Sequence, residues 1–269
     1  KRLKVDDKIN KSANELEKLA NKLEKLANDA KNKENLAQNL EKQNEINADF
    51  KKVQEQLKEA QELNKELETP KDLEKTEQDE QNIEKQLEQS KEQLEQKQAQ
   101  KAQKPQKGGA KDMRDLGAKL QEMMAKNQQK EVEENIEDIK KLLKNLLAIS
   151  FEQEEVIKTL KTHNPNDPKY VEASRAQVKL KQQAQSVSDS LFALSKRVLQ
   201  IKEFVTKEVG LIHSYMDEAL VLIKQRQPGQ ATGKQQYAMT SVNNLAAMLS
   251  DVLKQMQQQA AMPKSAGSG

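Results

Sequence analysis

Residues 136–160 read IEDIKKLLKNLLAISFEQEEVIKTL, the densest apolar run in the chain. Ile136, Ile139, Leu143, Leu146 and Ser150 recur at steps of three and four, the spacing that lays side chains along one flank of an α-helix. Leu142, Leu147, Ile149 and Phe151 widen that stripe beyond what a two-stranded seam covers. A helix apolar on two or more flanks has to be enclosed. This stretch is therefore expected to be the central helix of a compact bundle.

Downstream, Asp167 is a natural N-cap with Pro168 in the first helical turn, so the chain should reverse at residues 163–168. Ala173, Leu180, Ala184, Val187, Leu191, Leu194 and Val198 then describe a second amphipathic helix. A break at 199–203 would leave four helices of similar length, the third capped by Thr206. Gln227-Pro228-Gly229 and Gly233 read as a loop. Tyr237, Val242, Leu245, Met248, Leu249, Val252 and Met256 mark the last helix. The expected bundle covers residues 131–262, with helices at about 131–162, 168–198, 204–226 and 234–261, and a flexible tail at 263–269.

Upstream, apolar residues thin out. Ile9, Ala13, Leu16, Ala20, Leu23, Ala27 and Ala30 alternate four and three apart, with Leu19 and Leu26 beside them, as in a heptad seam. The pattern resumes in another phase at Ile46, Phe50, Val53, Leu57, Ala60 and Leu67, which predicts one long helix with a register break near Gln43. Ser12 reads as a mid-helix serine. Thr69-Pro70 looks like a helix end followed by a fresh start. The next seam is poor, because Thr76, Glu80 and Ser90 stand between Leu73, Ile83, Leu87 and Leu94. Residues 1–104 are thus expected to form a long antiparallel hairpin turning at 69–70. Residues 105–130 should form a basic joint and connecting helix, with Met113, Leu116, Leu120 and Met123 at heptad spacing.

Composition agrees with an all-α chain: a long coiled-coil hairpin followed by an up-down four-helix bundle. Of 269 residues 33% are charged and only 3% aromatic, too few aromatic side chains for extensive sheets. Basic and acidic side chains number 46 and 43, so the net charge of +3 exerts little global pull on nucleic acid or anionic lipid. Without Cys there are no disulfides, thiolates or Cys-ligated zinc, which suits cytoplasm and periplasm alike. No apolar run approaches the roughly 18–20 residues of a membrane span. Lys1 is preceded by no Met or signal pattern, which suggests a fragment of a longer protein.

Few residues invite chemistry. A carboxylate-bridged di-iron bundle needs Glu-x-x-His, but Leu160 and Gly210 stand three before His163 and His213. His163 reads as turn packing, and His213 as a helix-surface or interhelical hydrogen-bonding group. Glu152, Glu154 and Glu155 beside Phe151 read as a solvated face, and the methionines as core filling. No phosphate-binding loop or nucleophile elbow is present. No enzyme, cofactor or metal is expected. The one candidate contact surface is basic: Lys97, Lys101, Lys104, Lys107 and Lys111 have no acid between Glu95 and Asp112. They form either an anion contact for lipid headgroups or nucleic-acid phosphate, or a solvated joint at Pro105, Gly108 and Gly109. The absence of Arg and aromatic residues among them disfavours nucleic acid.

Three stretches carry a resemblance: ENIEDIKKLLKNLLAISFEQEEVI, FVTKEVGLIHSYMDEAL and QQYAMTSVNNLAAMLSDVLKQMQQQ. They resemble the C-terminal coiled-coil and helical region of a Bacteroidota family of large, membrane-anchored envelope proteins of unknown function. The likeness is most specific between Glu134 and Gln259. Thr206 stands where that family often has an Asn, and a Pro that precedes the third bundle helix there is missing. The resemblance implies a scaffold or partner-recruiting module on the periplasmic side of the inner membrane, with the cytoplasm as alternative. It also implies attachment through an N-terminal membrane segment of the parent. Protein partners, and homo-oligomers through the hairpin, are the interactions expected.

Overall fold

A computed structural model of the chain describes residues 2–29 and 36–261, and all of its regular structure there is helical. The all-α class is as the composition requires. Seven α-helices follow one another: α1 Arg2–Asp29, α2 Leu36–Lys65, α3 Glu77–Glu95, α4 Ala99–Thr162, α5 Pro168–Ser195, α6 Lys202–Lys224 and α7 Pro228–Ala261. They divide into two compact units, residues 1–129 and 130–269. Helix α4 supplies residues to both. Ala30 of the expected seam and the expected tail 263–269 lie outside the described residues.

The first unit is not the sparse hairpin that the sequence suggests. Instead of one helix over 3–67, α1 and α2 lie antiparallel, as the Lys8–Glu59 and Lys22–Asp49 ion pairs and the Ser12–Gln56 contact require. Gln43, the expected register break, is buried well inside α2. The change of seam phase is resolved by folding back. The two phases belong to two helices that face each other.

Four helical segments therefore share one core. Leu16, Leu19 and Leu23 of α1 join Phe50 and Leu57 of α2, Ile83 and Leu87 of α3, and Met113, Leu116 and Leu120 of α4. Each such side chain contributes roughly 1.5–3 kcal/mol by leaving water. That enclosure supplies the packing that a two-helix arm would lack.

Two further expectations fail here for a stated reason. Thr69-Pro70 does not start a helix; α3 begins at Glu77. The backbone between is stitched down by amides instead. Asn64 accepts from Lys71 N–H at 2.8 Å and donates to Lys71 C=O at 2.9 Å, while Asn127 does the same for Asp72 at 3.2 and 2.9 Å. The buried Lys71 ammonium donates to both oxygens of Asp6 at 2.7 Å. The Pro105 to Gly109 stretch is likewise no joint, because it lies inside α4. Its glycines serve close approach: a Cβ on Gly109 would meet Leu23 Cδ2 at 3.2 Å.

In the second unit the reversal after α4 is the expected one. Asp167 accepts from Lys169 N–H at 2.8 Å with Pro168 in the first turn. Tyr170 O–H donates to Ile223 C=O at 3.1 Å, and Ser188 meets His213 at 3.0 Å, which sets α5 antiparallel to α6. A break separates these two helices, with a single 3-10 turn at Leu199–Ile201. Helix α5 ends at Ser195, earlier than Val198, and α6 starts at Lys202, so Thr206 is no cap; its hydroxyl donates to Lys202 C=O at 2.9 Å. Tyr215 stacks 5.4 Å from Tyr237, pairing α6 with α7. Helix α7 begins at Pro228 rather than 234, since a proline fits the first helical turn. Leu142, Leu146, Ile149, Leu180, Leu191, Ile212, Met216, Leu245 and Leu249 fill one core.

Of the three residues that interrupt the α3 seam, Thr76 and Ser90 are buried and Glu80 is half-buried. Burial pushes the Glu80 carboxyl above the ordinary carboxylate range; the Thr76 hydroxyl, donating at 2.6 Å, opposes this and Glu77 adds to it. A carboxyl whose pKa rises on folding favours the fold below its unfolded pKa, and that contribution is lost as pH rises through the raised value. Glu80→Gln should therefore raise the thermal midpoint at neutral pH. The gain over the parent should shrink in acid, where Glu80 is protonated in both states, as calorimetry across a pH series will show.

Candidate interaction surface

The width of the 136–160 stripe decides where this surface lies. Ile136, Ile139 and Leu146 of the expected stripe are buried, but Leu143 and Ser150 are only partly so, and the flanking Leu142 and Ile149 are the ones that point into the core. Leu147 and Phe151 do not: they are 47% and 66% exposed. A helix at the edge of a four-helix unit meets neighbours on one broad flank only. The surplus apolar residues on its outer flank stay in water, contrary to the full enclosure expected.

Phe151 stands at the rim of an open groove of about 710 Å³ between α4 and α5. Its floor is Val156, Ala173, Ala176 and Leu180. The small Ala173 and Ala176 leave the depression that larger side chains would fill. Glu152 and Glu155 edge it on the α4 side, and Lys169 and Lys179 on the α5 side with Glu172. Glu155 is committed to Lys158 at 2.9 Å, a bond that raises the Lys158 pKa. The groove continues past Glu152 along Asn145, Ala148 and Gln183.

At the same level the groove's register is set by buried amides. Gln153 and Gln177 exchange hydrogen bonds, Nε2 to Oε1, at 2.7 and 2.9 Å in both directions. Gln235 of α7 donates to Gln177 Oε1 at 2.5 Å. All three are at most 1% exposed. A paired amide in an apolar core penalises any sliding of one helix past the other, because slipped partners would be buried without hydrogen bonds. The sequence reading did not single out these glutamines. Their signal was Gln153 and Gln177 falling in phase with the apolar positions on either side.

The lysine run is only partly brought together. Lys101, Lys104, Lys107 and Lys111 are exposed on one face of α4, and none forms an ion pair among the described residues. Lys97 is apart from them, in the turn before α4, with φ 58° in the left-handed region. His163 packs its turn, with Nδ1 at 3.0 Å from Thr159 C=O, and lines the end of the groove. Glu152 and Glu155 reach the same groove, while Glu154 is not among its lining residues. No three metal-ligating side chains converge among the described residues, and no described helix is long and apolar enough to cross a membrane.

Compared with family models, curated proteins and solved structures, the chain shows no significant match. Its function has to be argued from its surface.

The amide layer makes a non-additive prediction. Gln177→Leu strands two buried amides and should cost about 1–3 kcal/mol in urea unfolding. Replacing Gln153, Gln177 and Gln235 together by Leu should recover most of that loss, because no polar group is left unpaired.

Proposed function

We propose that this chain is a non-catalytic helical scaffold module whose second unit recruits a protein partner on the α4/α5 groove. The supporting observation is Phe151, a large aromatic side chain held in water beside an apolar depression that it does not fill. Isolated exposed apolar residues are ordinary, but an aromatic rim next to a groove with a polar edge has the makeup of an interaction hot spot. The uneven distribution points the same way. Among the described residues Leu3, at 81%, is the exposed large apolar residue of the first unit, whereas the second exposes Leu147, Phe151, Val171, Val178, Phe192, Leu199, Val221 and Tyr237. In the envelope setting that the resemblance implies, on the periplasmic side of the inner membrane, the first unit serves as a well-packed support. The second presents the contact.

A photo-crosslinking side chain at position 151 of the full chain in its native cells should give a discrete adduct. The same probe at Lys11, exposed on the first unit, should not. Phe151→Ala should abolish partner capture while changing stability by no more than about 0.5 kcal/mol, as at other surface positions. No adduct at 151 above the Lys11 control would overturn the proposal.

A second surface has an observation of its own. Lys101, Lys104, Lys107 and Lys111 are exposed and form no ion pair among the described residues, so much of their positive potential faces solvent. An anionic-lipid or nucleic-acid contact at this face predicts sedimentation with phosphatidylserine vesicles, or retardation of an oligonucleotide, that fades with added salt. Changing all four lysines to Gln should abolish it, and failure of the parent chain to bind either probe removes this function.

A further inference from the structure

We propose that the α4/α5 groove is self-complementary and that its occupant is a second copy of this chain. The inference rests on the groove being an interaction surface and adds the identity of the partner. A two-fold interface needs knob and hole, and both signs of charge, on one face. This face has them. Phe151 projects from α4, and the depression over Ala173, Ala176 and Leu180 lies next to it along α5. The α4 edge is acidic through Glu152, and the α5 edge carries Lys179; neither forms an ion pair among the described residues.

The register fixes how two such faces meet. Because Gln153 pairs with Gln177 on antiparallel helices, Phe151 and Glu152 lie level with Lys179 across the groove. Rotation about an axis parallel to the helices places α4 of one copy over α5 of the other at the same height. Phe151 of each copy then enters the depression at Ala176 and Leu180 of its partner, and Glu152 of each faces Lys179. At this level opposite charges meet twice. The first unit, whose seams are enclosed, has no comparable face among its described residues, so self-association moves from the expected hairpin to the second unit.

Sedimentation equilibrium of the full chain over a concentration series tests this, with circular dichroism melts to verify that each variant is folded. The parent should be a monomer–dimer system. Phe151→Ala should weaken the dimer by about tenfold or more, in the range of an interface hot spot. Glu152→Lys and Lys179→Glu should each weaken it, and the double variant should restore association. A parent that stays monomeric at every concentration overturns the inference. So does a dimer that all of these variants leave intact, or a double variant no better than the single ones. A monomer that still gives a Phe151-dependent adduct with another protein in cells would sink self-association alone and leave the recruiting role standing.

Discussion

Each helix of this chain can hide one flank, and the chain is short of material to hide. With a third of its residues charged, a core exists only where several narrow stripes converge. Alanine and leucine seams of α1 and α2 close on each other and on α3 and the start of α4, so that even Phe50, the lone aromatic residue before position 151, is enclosed. A two-helix arm would have left half of each stripe in water. The same accounting explains the second unit with the sign reversed. There, apolar residues exceed what four stripes can take, and the excess appears outside as Leu147 and Phe151.

Scarcity of apolar residues also explains the buried amides. Both units place glutamine where a heptad would have leucine: Gln106 donates to Gln43 at 3.0 Å in the first, and Gln153, Gln177 and Gln235 meet in the second. Such contacts add little net free energy, since each replaces hydrogen bonds to water. Their effect is on alternatives. A bundle of similar leucine and alanine stripes can slide by a turn at small cost, whereas an amide moved one turn is buried without a partner. Stability comes from the seams and uniqueness from the amides.

Helices and their inward flanks were readable from spacing alone. Every seam position named between Ile9 and Ala27 is buried, and Asp167-Pro168 capped α5 as its chemistry dictates. What escaped were features that depend on partners. No Pro or Gly stands in the sequence between the Ile9–Ala27 and Ile46–Leu67 seams to mark the end of a helix, and only the packing of those two seams shows that they belong to two antiparallel helices. Pro105, Gly108 and Gly109 read as a joint because breakers in isolation are flexible, yet Leu23 and Gln86 pressed against the glycines make that stretch a close-packed helix. Phe151 was legible as surplus but not as exposed, since periodicity reports how wide a stripe is and not how many neighbours will cover it.

The contacts proposed at Phe151 and at the lysine face would hold a partner by different physical means, and they differ in how the surroundings modulate them. Charges on Lys101 to Lys111 act through solvent and are screened within about 10 Å at moderate salt, so they favour rapid, reversible encounter with any anionic surface. Burial of an aromatic ring in the Ala173 and Ala176 depression is short-ranged and nearly indifferent to salt, and its strength depends on shape. Shape is what the Gln153–Gln177 pair holds fixed. A surface whose geometry is pinned by buried amides is suited to selecting one partner, while a row of lysines selects only a sign of charge, and this difference is why we propose the groove for the specific contact.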